Sequence, residues 1–230
     1  MMKILAIDTS RFETRVGLQV GSTFIEKVCA EKMRASQELL SLIKGILEEA
    51  DLLISQVDAI GVVTGPGSFT GVRIGIAVAQ GLSASNNTKV IGISTMALYA
   101  KSGCSVLGDG NFLVSLLAKS PDVYLGAYHC ESGKPNLVCD EFVLNYTADF
   151  QPLRQIFDRK NWTGLGDGWS ERELIEKALG LKLNSMAVTQ EPSMKDFLEL
   201  CTDTLQAPKK ISNNLVLPNY IKEPHYSIAK

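Results

Sequence analysis

The chain has 230 residues, 45% of them hydrophobic, and a formal net charge of −2. That length holds one large domain or two small ones, each with a real core, and that composition suits a soluble globule rather than a disordered tail. The near-neutral charge argues against a free-standing nucleic-acid binder, which would carry a basic stripe. Lys209-Lys210 and Arg159-Lys160 are too short to form one and read as solvated surface. No apolar run reaches transmembrane length, and the N-terminus enters a strand-like segment without the basic flank and apolar core of a signal peptide. The five cysteines, at 29, 104, 130, 139 and 201, include no C-x-x-C spacing, so reduced thiols in a cytosolic protein are expected.

Taken in order, strands are expected at 3–8, 15–20 and 23–29, the second with the alternation Val16, Leu18, Val20 of a half-buried strand. A helix follows over 36–50, because Leu39, Leu40, Ile43, Ile46, Leu47 and Ala50 fall on one face. Next come a strand at 59–63, a glycine turn, an apolar helix to about 85, a strand at 89–93 and a short helix capped by Ser94. The segment 101–110 carries three glycines and few large apolar residues, and is expected to separate the halves. Beyond it the grammar repeats, with strands at 112–117, 123–129 and 136–144, a short strand at 161–165, and helices near 170–179 and 193–205. Pro218-Asn219-Tyr220 begins an irregular tail. Two copies of a strand meander followed by helices imply a duplicated α/β fold.

The most informative stretch is Gly65-Pro66-Gly67-Ser68-Phe69-Thr70-Gly71-Val72-Arg73-Ile74-Gly75. Proline and glycine set a tight turn, and Ser68 or Thr70 can cap the helix that follows. Such a turn can present N–H groups to an anion, although it matches neither the Walker pattern nor G-x-G-x-x-G. Arg73, in the first helical turn, can meet a phosphate or a carboxylate. Asp8-Thr9-Ser10 ends the first strand and can bind Mg²⁺ or a phosphate; equally, Asp8 can accept backbone hydrogen bonds in a polar turn. Gly166-Asp167-Gly168 is a second turn with the same two readings. Gly71, Gly75 and Ala79 recur at i, i+4, i+8 and form a smooth strip for close approach of another helix. By this reading Gly75→Leu blocks a partner and leaves the fold intact. The histidines, His129 and His225, have no ligand-spaced partner, and no nucleophile elbow appears.

These motifs resemble the TsaB (YeaZ) family. The resemblance is carried by Ile4-Leu5-Ala6-Ile7-Asp8-Thr9-Ser10, Ser36-Gln37-Glu38-Leu39-Leu40, the long glycine string, Ala79-Gln80-Gly81-Leu82 and Val90-Ile91-Gly92-Ile93-Ser94-Thr95. Gly166-Asp167-Gly168 and Pro218-Asn219-Tyr220 add to it. It is dense to about residue 95 and patchy beyond. It implies a duplicated RNase H-like/actin-like fold (sugar kinase–Hsp70–actin), with subdomains at 1–105, carrying the docking helices, and 106–230, with the C-terminal tail. It also implies a cytoplasmic, non-catalytic subunit for making threonylcarbamoyladenosine beside the anticodon of tRNA. Such a subunit would bind the paralogue TsaD directly and TsaE in a ternary complex, meet tRNA only indirectly, and form a homodimer in isolation.

On that reading the partner-binding residues are Leu39, Leu40, Ile43, Leu47, Gly71, Val72, Gly75, Val78, Ala79 and Leu82. The candidate nucleotide or phosphate contacts are Asp8, Thr9, Ser10, Arg73, Gly166 and Asp167. No catalytic residue, metal or tightly bound cofactor is expected, with ATP or ADP, where either binds, at the interface with partners. The chain departs from the family at Leu117-Ala118-Lys119, where many members carry Asp-Ala-Arg; lysine cannot reproduce arginine's bidentate fork. A competing reading is a small ATP-dependent kinase or ATPase of the same fold, using Asp8 and the glycine turns. A homodimer as the final state is a third.

Overall fold

The computed structural model describes residues 1–29, 35–147, 157, 161–187, 191–207 and 215–221, together with the backbone but not the side chains of 35–37 inside that span. Arg159-Lys160, Lys209-Lys210 and His225 lie outside it. The chain opens with β1 (Lys3–Asp8), β2 (Thr14–Val20) and β3 (Thr23–Cys29), an antiparallel meander in which Ile7 faces Val16 and Leu18 faces Ile25. Then follow α1 (Ala35–Glu49), β4 (Ala59–Gly65), α2 (Phe69–Asn86), β5 (Lys89–Ser94) and α3 (Thr95–Leu107). The sheet order is β3-β2-β1-β4-β5, with β4 parallel to both β1 and β5. β4 is buried along its whole length, as its near-continuous apolar run requires of a parallel strand covered on both faces.

The second half repeats this plan: β6 (Gly110–Leu117), β7 (Asp122–Glu131), β8 (Lys134–Asn145), β9 (Trp162–Leu165), α4 (Arg172–Leu179), β10 (Ser185–Met186) and α5 (Met194–Gln206). Its sheet order is β10-β9-β6-β7-β8. With β6 in the place of β1 and β9 in that of β4, the two orders are the same, so the fold is duplicated. The second core centres on Trp162, whose ring meets Phe157 edge-on at 5.5 Å and whose Nε1 donates to the Phe157 carbonyl at 3.1 Å.

Two expectations about organisation need correction. The chain divides after Leu98, inside α3, and Ser193–Asn219 belongs with the first unit, rather than at 105/106. The segment 101–110 is not a boundary loop but largely helix: Gly103 is there for packing, since a Cβ on it would lie 2.6 Å from Leu165 Cδ1.

The placement of α5 has a similar cause. α1 and α2 cover one face of the first sheet through Leu39, Ile43, Ile46 and Val72. The opposite face receives Met194, Phe197, Leu198 and Cys201 of α5. Two strand glycines make the room: a Cβ on Gly17 would lie 2.2 Å from Met194 Cγ, and one on Gly61 2.3 Å from Cys201 Sγ.

A third correction concerns the thiols. Cys104 and Cys130 are joined as a disulfide, while Cys29, Cys139 and Cys201 are free. Among the described residues no helix is long and apolar enough to cross a membrane.

Because Phe197 is almost wholly buried under the first sheet, Phe197→Ala is expected to lower the unfolding free energy by about 3–5 kcal/mol. Urea denaturation followed by circular dichroism measures this, and a change below about 1 kcal/mol would contradict the placement of α5.

Candidate functional site

The end of β1 and the glycine turn after β4 are locked together. The Ser68 N–H donates to the Ser10 carbonyl at 2.7 Å, and Thr9 Oγ1 donates to the Gly71 carbonyl at 2.7 Å. Gly65 has a φ of +101°, a conformation that glycine alone adopts readily. A Cβ on Gly67 would sit 2.4 Å from the Ser10 carbonyl oxygen, and one on Gly71 1.9 Å from that of Thr9. Ser68 caps α2 by accepting from the Gly71 N–H at 3.2 Å, which relieves one of the unpaired donors of the first turn.

Asp8 is buried, and its Oδ1 accepts from both the Ser10 N–H at 2.9 Å and Ser10 Oγ at 2.7 Å. This is the polar-turn reading of Asp8. The space that glycine opens at the turn is filled by this chain's own backbone, so the arrangement does not fit a phosphate seated between the turn and β1. The Arg73 guanidinium carbon stacks 3.3 Å from the centroid of the Phe69 ring.

The second unit builds a matching corner. Gly166 approaches the end of β6 so closely that a Cβ would lie 2.1 Å from the Ser115 carbonyl oxygen. Asp167 Oδ1 accepts from the Leu117 N–H at 2.9 Å. Gly166 and Asp167 thus support the strand that carries Leu117-Ala118-Lys119, and they belong to a different unit from Asp8, Thr9, Ser10 and Arg73.

The expected docking residues divide sharply. Leu39, Ile43, Leu47, Val72 and Ala79 are core residues of the first unit, and Gly71 and Gly75 are buried with them. The strip Gly71-Gly75-Ala79 does allow close approach, but to β1 and β4 of the same chain: a Cβ on Gly75 would lie 2.5 Å from Thr9 Oγ1. Gly75→Leu would therefore injure the fold, against the expectation from sequence. Leu40 is 54% exposed, while Val78 and Leu82 are half-buried at the margin of the core.

A second strip, two residues out of phase, points outward. Arg73, Ala77 and Gly81 are all exposed, and a Cβ on Gly81 would meet nothing within 4 Å. Ile74, Val78 and Leu82 flank it, half-buried. α2 begins with Phe69, 65% exposed, and its neighbour α1 exposes Leu40. This face is apolar yet nearly smooth along its middle, the surface a helix from another protein needs for close packing. The sequence expectation took the inner strip for partner binding, and the structure buries that strip; the charge of Arg73 was the signal in the sequence that the 73-77-81 side faces outward.

Among the described residues no group of three His, Cys, Asp or Glu side chains is placed to hold a metal. His129 hydrogen-bonds through Nδ1 to Asn111 Oδ1 at 3.0 Å on the surface.

Two five-stranded sheets of matching order, each closed by a glycine corner, define a duplicated α/β protein. The family described as TsaD, tRNA N6-adenosine threonylcarbamoyltransferase, matches residues 30–134. A relative from Escherichia coli strain K12, named tRNA threonylcarbamoyladenosine biosynthesis protein TsaB, is 28% identical over 96% of this chain and 95% of its own. The protein of the same name from Bacillus subtilis strain 168 is 30% identical over 79% of this chain and 78% of its own. A solved structure from Pseudomonas aeruginosa, of an uncharacterized protein with similarity to peptidase YeaZ, matches with a TM-score of 0.82 at 28% identity. It covers 96% of this chain and 100% of that one. The chain belongs to the TsaB family.

Gly75→Leu is expected to destabilise the protein by about 1–3 kcal/mol or more through overpacking, and Gly81→Leu to leave stability unchanged or raise it by up to about 1 kcal/mol through helix propensity. Thermal or urea unfolding of the two variants side by side checks the assignment of inner and outer strips.

Proposed function

We propose that this chain is a non-catalytic subunit in the biosynthesis of tRNA threonylcarbamoyladenosine, binding TsaD directly and TsaE in a ternary complex. The observation that carries the reading is the outward strip of α2, Arg73-Ala77-Gly81, apolar at its flanks and open to close approach. The likeness to the transferase covers residues 30–134, the part that contains α1 and α2. A paralogue of like fold would offer the matching pair of helices, so the two can pack face to face about a pseudo-twofold axis. On this reading tRNA is met through the complex, the protein works in the cytoplasm, and a homodimer through the same face competes with TsaD.

The kinase or ATPase reading is disfavoured by the use of Asp8 within its own turn and by the closed glycine corner. If ATP or ADP takes part, this reading places it at the interface with the partners rather than at Asp8.

The deciding experiment is threonylcarbamoyl transfer to tRNA by TsaD, TsaE and the synthase of the pathway, with and without this chain. Transfer is expected to require the chain and to survive Asp8→Ala whenever that variant is folded. A dispensable chain, or ATP turnover by the chain alone, would overturn the proposal. Gly81→Leu is expected to weaken binding to TsaD about tenfold or more, the equivalent of about 1.4 kcal/mol, as measured by titration calorimetry; unchanged affinity would remove α2 from the interface.

A further inference from the structure

In the second unit the end of α3 and the tip of the β7–β8 hairpin are held together by three separate contacts. Cys104 of α3 is bonded to Cys130 of β7, with their Cα atoms 6.0 Å apart and a separation of 26 positions in sequence. The Asp109 carboxylate, just past the helix, accepts the N–H groups of Ser132 at 2.8 Å and Gly133 at 3.0 Å in the hairpin turn. Lys101 Nζ donates to the Gly133 carbonyl at 3.0 Å. Of the three, only the sulfur–sulfur bond can be made and broken by redox chemistry.

We propose that Cys104 and Cys130 form a reversible redox site, a staple that fixes the β7–β8 hairpin to α3 when oxidised and frees it to open when reduced. The proposal is independent of the role in tRNA modification. The oxidant is a low-molecular-weight disulfide such as oxidised glutathione. One cysteine thiolate attacks a sulfur of that disulfide and expels one glutathione thiolate, leaving a mixed disulfide. The second cysteine thiolate then attacks the protein sulfur of the mixed disulfide and expels the other. Two protein thiols are oxidised, one glutathione disulfide is reduced to two glutathiones, and the protons of the protein thiols pass to the leaving thiolates.

Two of the three free cysteines, Cys139 and Cys201, are poorly suited to this exchange. Burial pushes the Cys139 thiol up to about 11, and the fully buried Cys201 thiol further still; neither supplies much thiolate near neutrality. Cys104 and Cys130 are themselves buried, so exchange has to wait for the hairpin tip to open locally. The contacts from Asp109 and Lys101 oppose that opening. They set how fast the staple responds, while the sulfur chemistry sets whether it is closed.

The test uses the full chain equilibrated with oxidised or reduced glutathione, then denatured, alkylated and weighed intact. Oxidised protein is expected to take three alkyl groups, as its three free cysteines require, and reduced protein five, one for each cysteine in the sequence. Hydrogen exchange in 104–109 and 130–134 is expected to be about tenfold faster in the reduced form, and Cys104→Ser/Cys130→Ser is expected to exchange fast in both buffers. Asp109→Ala is expected to speed reduction of the disulfide about tenfold, because it removes the two hydrogen bonds that hold the hairpin turn to the end of α3. Five alkylated thiols in both buffers, a disulfide mapped to other cysteines, or equal exchange in the two states would each overturn the proposal.

Discussion

The depth at which α2 sits on the first sheet is set by the approach of the glycine turn to the end of β1, and the rest of the first unit depends on it. Gly67 and Gly71 meet the carbonyl oxygens of Ser10 and Thr9 where no side chain fits. Hydrogen bonds from Ser68 and Thr9 hold the approach. With α2 fixed this low, its inner strip is consumed by β1 and β4, and Arg73, Ala77 and Gly81 turn outward. The same device recurs where Gly166 closes on the end of β6. Duplication has thus preserved a packing contact between strand end and following turn, although the residues that make it differ between the copies.

That contact bears directly on chemistry. A corner at the end of β1, opening a helix, has the parts of an anion site. Here its donors and its space are used within the chain: Ser68 N–H on Ser10, Gly71 N–H on Ser68 Oγ, and Ser10 on Asp8. Drawing the Asp8 carboxylate out to a metal or a water would sacrifice both of the hydrogen bonds it accepts from Ser10. The corner therefore serves rigidity, fixing the start of α2 against the end of β1.

Most elements were legible because their hydrophobic periods are long: β1, β2, β3, α1, β4 and α2 differ from the sequence reading by a residue or two at their ends. Gly103 misled because a glycine in a polar stretch reads as a breaker, whereas here it admits Leu165. The place of α5 was hidden because linear order suggests the second unit; the clue lay in Gly17 and Gly61, strand glycines whose missing side chains are cavities waiting for a knob. β10 has only two residues, too few for any periodicity. The bond between Cys104 and Cys130 joins a helix to a strand across 26 residues, and connectivity of that kind does not follow from spacing.

The site was half legible for a related reason. On a helix as apolar as α2, the strip Gly71-Gly75-Ala79 and the small pair Ala77 and Gly81 lie nearly opposite each other, and of the two sides only the second carries a charge, at Arg73. The tail that seemed irregular helps hold α2 in its chosen rotation. Val216 enters the notch left by Gly92, its carbonyl accepts from Gln80 Nε2 of α2 at 2.7 Å, and the Asn219 N–H donates to the Thr64 carbonyl at 2.8 Å. The strap thus fastens the flank of α2 to β4 and β5, while the glycine turn fastens its start. A helix pinned at its beginning and along one side cannot roll to exchange its inner strip for its outer one. The outward choice of Ala77 and Gly81 is therefore fixed by the tertiary fold, in agreement with the charge of Arg73 one turn earlier on the same side.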